Sequence, residues 1–230
     1  SLVRESELKL MTRAGPEIGV ASTKAFTTQL VALMLLVIAL GSRQQLSAEK
    51  KRALLHQVVE LPGLMEKILS KDTGISDWAE AFIDVGNAIF LGRGLLYPIA
   101  LEGALKLKEI SYIHADAYPA GELKHGPIAL IDADMPTIAV ACMDGNEGKI
   151  KSNLREVLAR GGEVYLFADE RLDLSDLGDA CHVMPLPAVD ADLAPILYAL
   201  PLQLFSYFVA VHKGTDVDQP RNLAKSVTVE

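Results

Sequence analysis

The apolar positions in the first 85 residues recur at helical spacing. They predict one helix that begins after Ser22-Thr23 and reaches about Leu40, a second that begins after Ser47, and a third near residues 75–82. Serine and threonine before a helix can accept hydrogen bonds from its free N–H groups, so these residues are expected to cap the first two helices. The dipeptide Pro62-Gly63 is expected to interrupt the region.

Residues 1–45 predict too little structure to close a core alone. They contain a short strand at residues 8–11 and the helix that ends near Leu40. We expect both elements to pack either on the rest of the chain or on sequence outside it. The most apolar run, Leu30–Leu40, has only eleven residues. Because a helix needs about 20 residues to cross a bilayer, this run predicts a buried helix and no membrane partner.

From about residue 86, short apolar strands alternate with helices. The pattern predicts strands at 88–92, 136–141, 163–167 and 181–184, and helices at about 97–113, 147–160 and 193–212. Continuous apolar strands separated by helices are typical of a parallel sheet that is covered on both faces. The predicted fold class is therefore α/β, with ligands at the carboxyl ends of the strands.

The last segment, residues 214–230, lacks helical periodicity. Chain ends of this kind are often disordered. This one is apolar at four positions, which are Val217, Leu223, Val227 and Val229, and it closes with a β-prone Ser-Val-Thr-Val run. We therefore expect an ordered, extended tail that lies on the domain.

Composition excludes some classes of partner and site. The chain has 30 Asp and Glu against 22 Lys and Arg, a formal charge of −8, and no basic run, so a nucleic-acid partner is not expected. Cys142 and Cys181 lie far apart in apolar runs, which predicts buried free thiols in a reducing compartment and no disulfide framework. No spacing of His, Cys, Asp or Glu matches a metal site.

Three charged residues lie on one face of the helix predicted near 97–113. Glu102, Lys106 and Glu109 are four and three residues apart, as are neighbours on a helix surface. The stripe is either a solvated salt-bridge face or the wall of a cleft, where a carboxylate beside a lysine can transfer protons. The preceding strand ends in Gly92-Arg93-Gly94, which would place the helix near the ligand edge of the sheet.

Two further segments carry groups that can react. Glycines and a proline restrain the loop at 120–127 around His125, which is either a structural histidine or an acid and base. Lys225 in the tail is either solvated or held in a cleft, where a neutral amine can attack a carbonyl. The residues alone leave both pairs of alternatives open.

Four motifs together resemble one family. They are residues 17–27 (EIGVASTKAFT), 101–112 (LEGALKLKEISY), 121–127 (GELKHGP) and 216–230 (DVDQPRNLAKSVTVE). In this order, and over essentially the whole chain, they resemble the isomerase half of the bacterial glutamine:fructose-6-phosphate amidotransferases. The tail motif is highly specific for that family.

The resemblance implies two sugar isomerase (SIS) domains, each a parallel sheet flanked by helices. Residues 1–45 would be the end of the first, residues 46–213 the second, and residues 214–230 a catalytic tail. It further implies a cytoplasmic enzyme, at least a dimer, that converts fructose 6-phosphate and glutamine to glucosamine 6-phosphate and glutamate. The family needs no metal and no organic cofactor.

The resemblance also implies roles for individual residues. Lys225 would form a Schiff base with the open-chain sugar, Glu109 would move a proton between C1 and C2, and His125 would assist ring opening from a neighbouring subunit. The other matching positions would contact the sugar or carry charge around it; they are Val20, Ser22, Ala224, Lys106, Glu102 and Arg221. An aldose–ketose exchange needs such a base, and positive charge near its enolate-like intermediate.

Two parts of the family pattern have no match in the chain. It begins at Ser1 without the glutaminase domain and its leading cysteine, and it has no Ser/Thr-rich loop for the sugar phosphate. We therefore expect a piece of a larger enzyme that is impaired alone. Two alternatives are a fructosamine-type deglycase, which cleaves sugar–amine adducts, and a non-catalytic SIS regulator, which binds sugar phosphates and needs no base at Glu109.

Overall fold

The computed structural model describes residues 2–43, 45–70 and 72–226. The helices in these residues are α1 (Leu2–Glu5), α2 (Lys24–Gly41), α3 (Ala48–Leu69), α4 (Asp72–Glu80), α5 (Tyr97–Ser111), α6 (Glu147–Leu158) and α7 (Ala194–Lys213). The strands are β1 (Asn87–Gly92), β2 (His114–Pro119), β3 (Thr137–Ala141), β4 (Val164–Asp169) and β5 (Cys181–Leu186). Short 3₁₀ turns lie at Gly94–Leu96, Ala120–His125 and Pro127–Leu130.

The strands form one parallel sheet in the order β2-β1-β3-β4-β5. Strands β1, β3 and β4 are buried along almost their whole length, as strands covered on both faces must be. The strand order reverses after β1, which leaves a crevice between the carboxyl ends of β1 and β3. The parallel α/β sheet predicted from the alternating pattern is confirmed.

Successive residues of each strand enter two separate cores. Phe90, Ile138 and Phe167 pack on one side with α3, α4, α5 and α7. Leu91 and Leu166 pack on the other side with α6 and the turns after β2. The alternation of side chains along a strand thus produces three layers, with the sheet in the middle.

Helices α5 and α7 pack directly on each other over the sheet. A Cβ atom on Gly103 of α5 would lie 2.8 Å from Leu202 Cδ1 and 2.9 Å from Phe90 Cε1, so the close approach depends on glycine. Phe205 of α7 is fully buried and meets Phe82 edge to face, with 4.8 Å between the ring centroids. This packing fixes the outer face of α5, where the charged stripe lies.

Three local predictions are wrong. Residues 8–11 are exposed and form no strand, because they pair with no strand of the described chain. Pro62-Gly63 lies inside α3, whose core contacts through Leu61 and Ile68 outweigh the local cost of proline. Strand β2 was not predicted, because this edge strand is polar and buries few of its residues.

Helix α2 is exposed where a buried helix was predicted. Ile38 is the one residue of α2 that is fully buried, and four large apolar side chains are 49–62% exposed, namely Leu33, Leu36, Val37 and Leu40. Its inner side rests on α7 and α3. The prediction fails because an apolar run shows that a helix has apolar surface but not how much of it is covered. The described residues cover only one side of α2.

Two helices of the described chain, α2 and α7, are long and apolar enough to cross a membrane by length and composition alone. The structure buries 6% of the α2 window and 67% of the α7 window. A core helix of a soluble protein passes the same test, so the finding is weak evidence for a membrane span.

The tail lies against the domain as far as residue 226. Thr215 Oγ1 donates a hydrogen bond to the carbonyl of Ile110 at 2.6 Å, and the N–H of Val20 donates to the carbonyl of Asp218 at 2.9 Å. Pro220 is buried. The predicted ordered tail is confirmed to this point, and residues 227–230 lie outside the described residues.

Candidate active site

A cavity of about 340 Å³ lies on the outer side of the α5–α7 pair. Residues 16–24, α5, α7 and the start of the tail form its walls. The polar part of the lining includes Glu17, Lys106, Gln203, Tyr207 and Asp218. A cavity of this size lies at the lower end of the range for small-molecule sites.

A small apolar cluster holds these four segments together. Ala21, Ile110 and Ala210 are buried against one another, and Val217 of the tail packs on them. Each belongs to a different segment: the stretch before α2, then α5, α7 and the tail. The cluster therefore fixes the positions of the polar groups around the cavity.

The charged stripe of α5 is a buried ion-pair network. Lys106 is 3% exposed. Its Nζ donates to Glu109 Oε2 at 2.5 Å and lies 3.8 Å from Glu102 Oε1. A solvated salt-bridge face would expose the lysine, so the structure favours the other alternative, in which the stripe borders a cleft. The lysine is a fixed positive charge at the cavity wall.

Glu102 is set up to hold a proton near neutral pH. Burial raises its pKa from the ordinary 4.5 to about 7; Lys106 opposes this rise and the Glu109 carboxylate adds to it. Its Oε1 atom is buried and lacks a hydrogen-bond partner among the described residues. A carboxyl group of this kind can exchange protons with its neighbours at the pH of the cell.

The amino end of α2 is capped by Glu17. Thr23 precedes the helix but makes no side-chain cap. Instead, Glu17 Oε1 accepts hydrogen bonds from the N–H groups of Thr23 at 2.8 Å and Ala25 at 3.3 Å, and from the Thr23 hydroxyl at 3.0 Å. The predicted cap by Ser22-Thr23 is wrong, because a carboxylate suits the positive end of a helix better. The predicted cap at Ser47 is confirmed.

The hydrogen bonds around Glu17 keep its carboxyl group ionised. Burial would raise its pKa, but the N–H groups of Thr23 and Ala25, the Thr23 hydroxyl and Lys225 together lower that pKa to about 2. Ser22 Oγ also donates to Glu17 Oε2 at 3.2 Å. Glu17 is thus a permanent negative charge in the cavity wall.

Lys225 lies at the rim of the cavity, with 48% of its side chain exposed. Its Nζ donates to the carbonyl of Gly19 at 2.9 Å, and lies 3.3 Å from Glu17 Oε2 and 3.5 Å from the carbonyl of Val20. The tail amine therefore meets a carboxylate, but that carboxylate belongs to Glu17. The Glu109 carboxylate forms its ion pair with Lys106.

The other tail residues flank the same rim. The N–H of Arg221 donates to the Tyr112 hydroxyl at 2.9 Å, and the guanidinium lies 4.2 Å from the centre of the Tyr112 ring, a cation–π contact. Tyr112 follows directly after α5, so Arg221 anchors the tail to the end of the charged helix. Ala224 is exposed beside Lys225.

The structure does not bring His125 to this cavity within one chain. His125 is exposed and ends the turn that follows the carboxyl end of β2. Glu109 lies in the last turn of α5, just before the amino end of β2. A strand of six residues is about 20 Å long, which gives the scale of their separation.

The cavity does not lie where the general rule for such sheets places ligands. Its walls are the outer faces of α5 and α7, whereas Gly92-Arg93-Gly94 lies at the carboxyl end of β1. The prediction that the stripe lies at the ligand edge is wrong, because α5 runs away from that edge and carries Glu109 at its far end. A larger cavity of about 780 Å³, between α3 and residues 171–190, contains none of the predicted site residues.

Neither the two thiols nor a metal-binding cluster adds a reactive centre to the described part of the chain. Cys142 and Cys181 are buried and free, as predicted, and burial raises their pKa values to about 12 and about 11. Thiols this hard to ionise are poor nucleophiles and poor metal ligands. Among the residues that the structure describes, no group of three or more His, Cys, Asp or Glu side chains could hold a metal ion.

The fold and the sequence place the chain in a known family. The SIS domain model matches residues 81–213, more than half of the chain. The chain therefore belongs to the SIS domain family. The match covers the whole sheet and α5 to α7, and the domain boundaries at 45/46 and 213/214 stay predictions.

Individual relatives extend the match to the whole chain. The chain is 61% identical over 231 residues to a Pseudomonas putida protein named glutamine–fructose-6-phosphate aminotransferase (isomerizing), and 60% identical over 230 residues to the Escherichia coli K12 protein of that name. Both matches cover 100% of this chain and 38% of the relative. The chain thus spans well under half the length of these curated relatives.

A solved structure agrees with this family. The C-terminal domain of glucosamine-fructose-6-phosphate aminotransferase from Francisella tularensis matches with a TM-score of 0.89 and 51% identity, over 95% of this chain and 61% of that one. A Clostridium novyi protein described as a putative tagatose-6-phosphate ketose/aldose isomerase has a TM-score of 0.76 at 20% identity, which shows the fold alone. The predicted fold and the resemblance to the amidotransferase isomerase half are confirmed.

Sequence reasoning missed Glu17 as a site residue. It lies in the first quoted motif, but its position six residues before the α2 cap matches no capping pattern, in which the carboxylate follows the cap. The absence of any other acidic residue between Glu7 and Glu49 was the one available signal. Only the fold shows that a lysine some 200 residues later reaches it.

Proposed function

We propose that this chain is the isomerase part of an enzyme that converts fructose 6-phosphate and glutamine to glucosamine 6-phosphate and glutamate. The observation that carries the proposal is the return of the tail, which brings Lys225 to Gly19 in the segment that lines the same cavity as Lys106. The relatives that match the whole chain carry the name of this activity. The buried thiols agree with a cytoplasmic location.

Lys225 is the nucleophile in this proposal. As a neutral amine it attacks the C2 carbonyl of the open-chain ketose, and water leaves as the C=N bond forms. The imine withdraws electrons from C1 and makes the C1 proton more acidic. Ammonia from glutamine then replaces the lysine nitrogen at C2, so the new amine stays with the sugar.

Glu109 is the base that takes the proton from C1, and a proton returned to C2 leaves the aldehyde of the aldose. Lys106, held 2.5 Å from Glu109, supplies the positive charge for the enolate-like intermediate. Glu102 and Arg221 carry charge around the site, and Val20, Ser22 and Ala224 contact the sugar. The Val20 carbonyl already contacts Lys225 and Ser22 donates to Glu17, the carboxylate that Lys225 meets, which supports this group of contacts.

His125 assists ring opening from a second copy of the chain. Its separation from Glu109 in one copy, on the scale of the length of β2, supports a contribution across a homodimer. Two inactive variants test this. When Lys225→Ala and His125→Asn subunits are combined in one dimer, one site receives an intact lysine and an intact histidine. We expect activity in the mixed dimer; an inactive mixed dimer would place His125 in the same copy as its lysine.

Borohydride reduction tests the nucleophile. The full-length protein is incubated with fructose 6-phosphate and borohydride, and the labelled peptide is identified by mass spectrometry. We expect reduction to attach the sugar to Lys225. Lys213→Ala is the matched control, because Lys213 is also near the end of the chain but donates to the carbonyl of Ile83. Equal labelling and full activity in Lys225→Ala would overturn the proposal.

Assays on the full-length protein distinguish the proposed activity from its two alternatives, a deglycase and a non-catalytic regulator. A deglycase would cleave a sugar–amine adduct faster than it forms glucosamine 6-phosphate. A regulator would bind the sugar without exchanging the hydrogen at C1 with solvent. Glu109→Gln should slow that exchange by about 10²–10⁴-fold while Lys225 is still labelled.

A further inference from the structure

We propose that Glu17 is a positioning residue for Lys225, whose amine it holds at the rim of the cavity. The inference rests on the proposed imine chemistry, in which Glu17 itself takes no covalent part. It assigns a role to a carboxylate that lies 208 positions before the lysine in the sequence.

The two oxygens of Glu17 have different partners. Oε1 accepts hydrogen bonds from Thr23 and Ala25 and so caps α2. Oε2 accepts from Ser22 Oγ and from Lys225 Nζ. One carboxylate therefore links the start of a rigid helix to the tail, which has no regular secondary structure of its own at this point.

The acceptors around Lys225 match the shape of an ammonium group. Lysine has three N–H donors and no acceptor. Glu17 Oε2, the Gly19 carbonyl and the Val20 carbonyl supply three oxygens, at 3.3, 2.9 and 3.5 Å, all from one short loop. Glu17 is the one of the three that carries a charge, so it contributes most of the attraction for the resting ammonium, which must lose a proton before the amine attacks.

A second attachment makes the position of the amine specific. The N–H of Val20 donates to the carbonyl of Asp218 at 2.9 Å. The loop thus binds the tail at Asp218 through the backbone and at Lys225 through the side chain. Without the charge of Glu17 the first attachment remains, but the lysine is free to leave the rim. We therefore expect a slower reaction with bound sugar and little change in sugar affinity.

The test uses Glu17→Gln in the full-length protein. Glutamine keeps an oxygen for the N–H groups at the helix end but loses the negative charge. The rate constant for borohydride trapping is measured against fructose 6-phosphate concentration. We expect the rate at saturating sugar to fall about tenfold or more, with the half-saturating sugar concentration changed less than about twofold. Glu17→Asp, which keeps the charge, should recover part of the rate.

Two controls separate positioning from loss of structure. Asp190→Asn also neutralises a carboxylate paired with a lysine, since Asp190 lies 2.7 Å from Lys50 Nζ, but far from the cavity; its trapping rate should equal that of the unchanged protein. Thr23→Val weakens only the capping side of Glu17. It should lower the melting temperature without the same fall in the saturating rate.

The hold of Glu17 on the amine can also be measured without sugar and without enzyme activity. Acylation of Lys225 by an amine-reactive reagent, followed by peptide mass spectrometry, should be several-fold faster in Glu17→Gln than in Asp190→Asn. If the unchanged protein is labelled by sugar and borohydride but Glu17→Gln reacts at the same saturating rate, positioning by Glu17 is wrong. If Lys225 is never labelled by sugar, the proposed function fails instead, and the acylation rates alone decide whether Glu17 holds the amine.

Discussion

Helices α2 and α7 have similar composition and opposite surroundings. Both are long and apolar enough to pass for membrane spans, yet α7 has 67% of its window buried and α2 has 6%. Helix α7 packs on α3, α4 and α5 and holds the Phe205 ring with its centre 6.4 Å from that of Phe167 in β4, whereas α2 has only its inner side on α7 and α3. An apolar sequence shows that a helix has apolar surface to bury. The fold determines how much of that surface the same chain covers.

The two helices also contribute differently to the cavity. Helix α7 supplies wall residues from its middle, Gln203 and Tyr207, whose positions follow from the packed core. Helix α2 supplies its amino end, where Glu17 binds both the helix and the tail. The buried helix therefore sets the position of the cavity, and the exposed helix carries the attachment for Lys225.

The largest effect is expected from the buried helix. Phe205 of α7 is fully buried and stacks edge to face on Phe82. Phe205→Ala should lower the free energy of unfolding by about 3–5 kcal/mol, because it removes apolar contact and leaves a cavity. Urea unfolding followed by circular dichroism measures this. A loss below about 1 kcal/mol would contradict the full burial of Phe205.

The pH dependence of stability tests the burial of Glu102 in α5, the helix that packs on α7. Its pKa is raised from 4.5 to about 7, so the native state binds the proton more tightly than the unfolded state. The contribution of Glu102 to stability is therefore fully present below about pH 4.5 and is lost as the pH rises through 7, by up to about 3 kcal/mol. Glu102→Gln should remove this fall. An unchanged pH dependence of urea midpoints in Glu102→Gln would show that Glu102 is not buried as described.

Close packing between α5 and α7 predicts a smaller effect. Gly103→Ala places a methyl group within 3 Å of Leu202 and Phe90 and should cost about 1–3 kcal/mol. Gly148→Ala in α6 is the matched control, because a Cβ there meets nothing within 4 Å and alanine favours a helix. Thermal unfolding should show a lowered melting temperature for Gly103→Ala and not for Gly148→Ala. Equal melting temperatures would contradict the close approach.

The smallest effect is expected on the outer side of α2. Val37 is 62% exposed, so Val37→Ala should change the free energy of unfolding of the chain by no more than about 0.5 kcal/mol. The same urea experiment as for Phe205→Ala measures it. A loss of about 2 kcal/mol or more, as for a buried side chain, would show that Val37 is covered in solution, and the contrast between the two helices would disappear.

The sequence predicted those parts of the fold that depend on local pattern. The strands of the sheet centre are continuous apolar runs, such as Ala88 to Gly92, and could be recognised without knowing their neighbours. Strand β2 could not, because its pairing with β1 and not its composition makes it a strand. Pro62 was misjudged for a related reason, since the core contacts of α3 are non-local.

In the candidate site, too, the local features were predictable from the sequence and the long-range contacts were not. The spacing of Glu102, Lys106 and Glu109 predicted a shared face, and the structure places Lys106 between both carboxylates. The partner of Lys225 could not be predicted, because Glu17 and the tail lie far apart in sequence and are brought together only by folding, which packs Ala21, Ile110 and Val217 in one apolar cluster. The roles of Lys225, Glu109 and His125 stay predictions that the experiments above address.

The hydrogen bond from the Val20 N–H to the Asp218 carbonyl makes the Val20 amide proton a reporter on the attachment of the tail at Asp218. Hydrogen exchange at Val20 requires the tail to open locally, so its rate gives the free energy of that opening directly. Comparing this rate with and without sugar phosphate would measure how strongly a ligand closes the tail over the cavity, without any turnover.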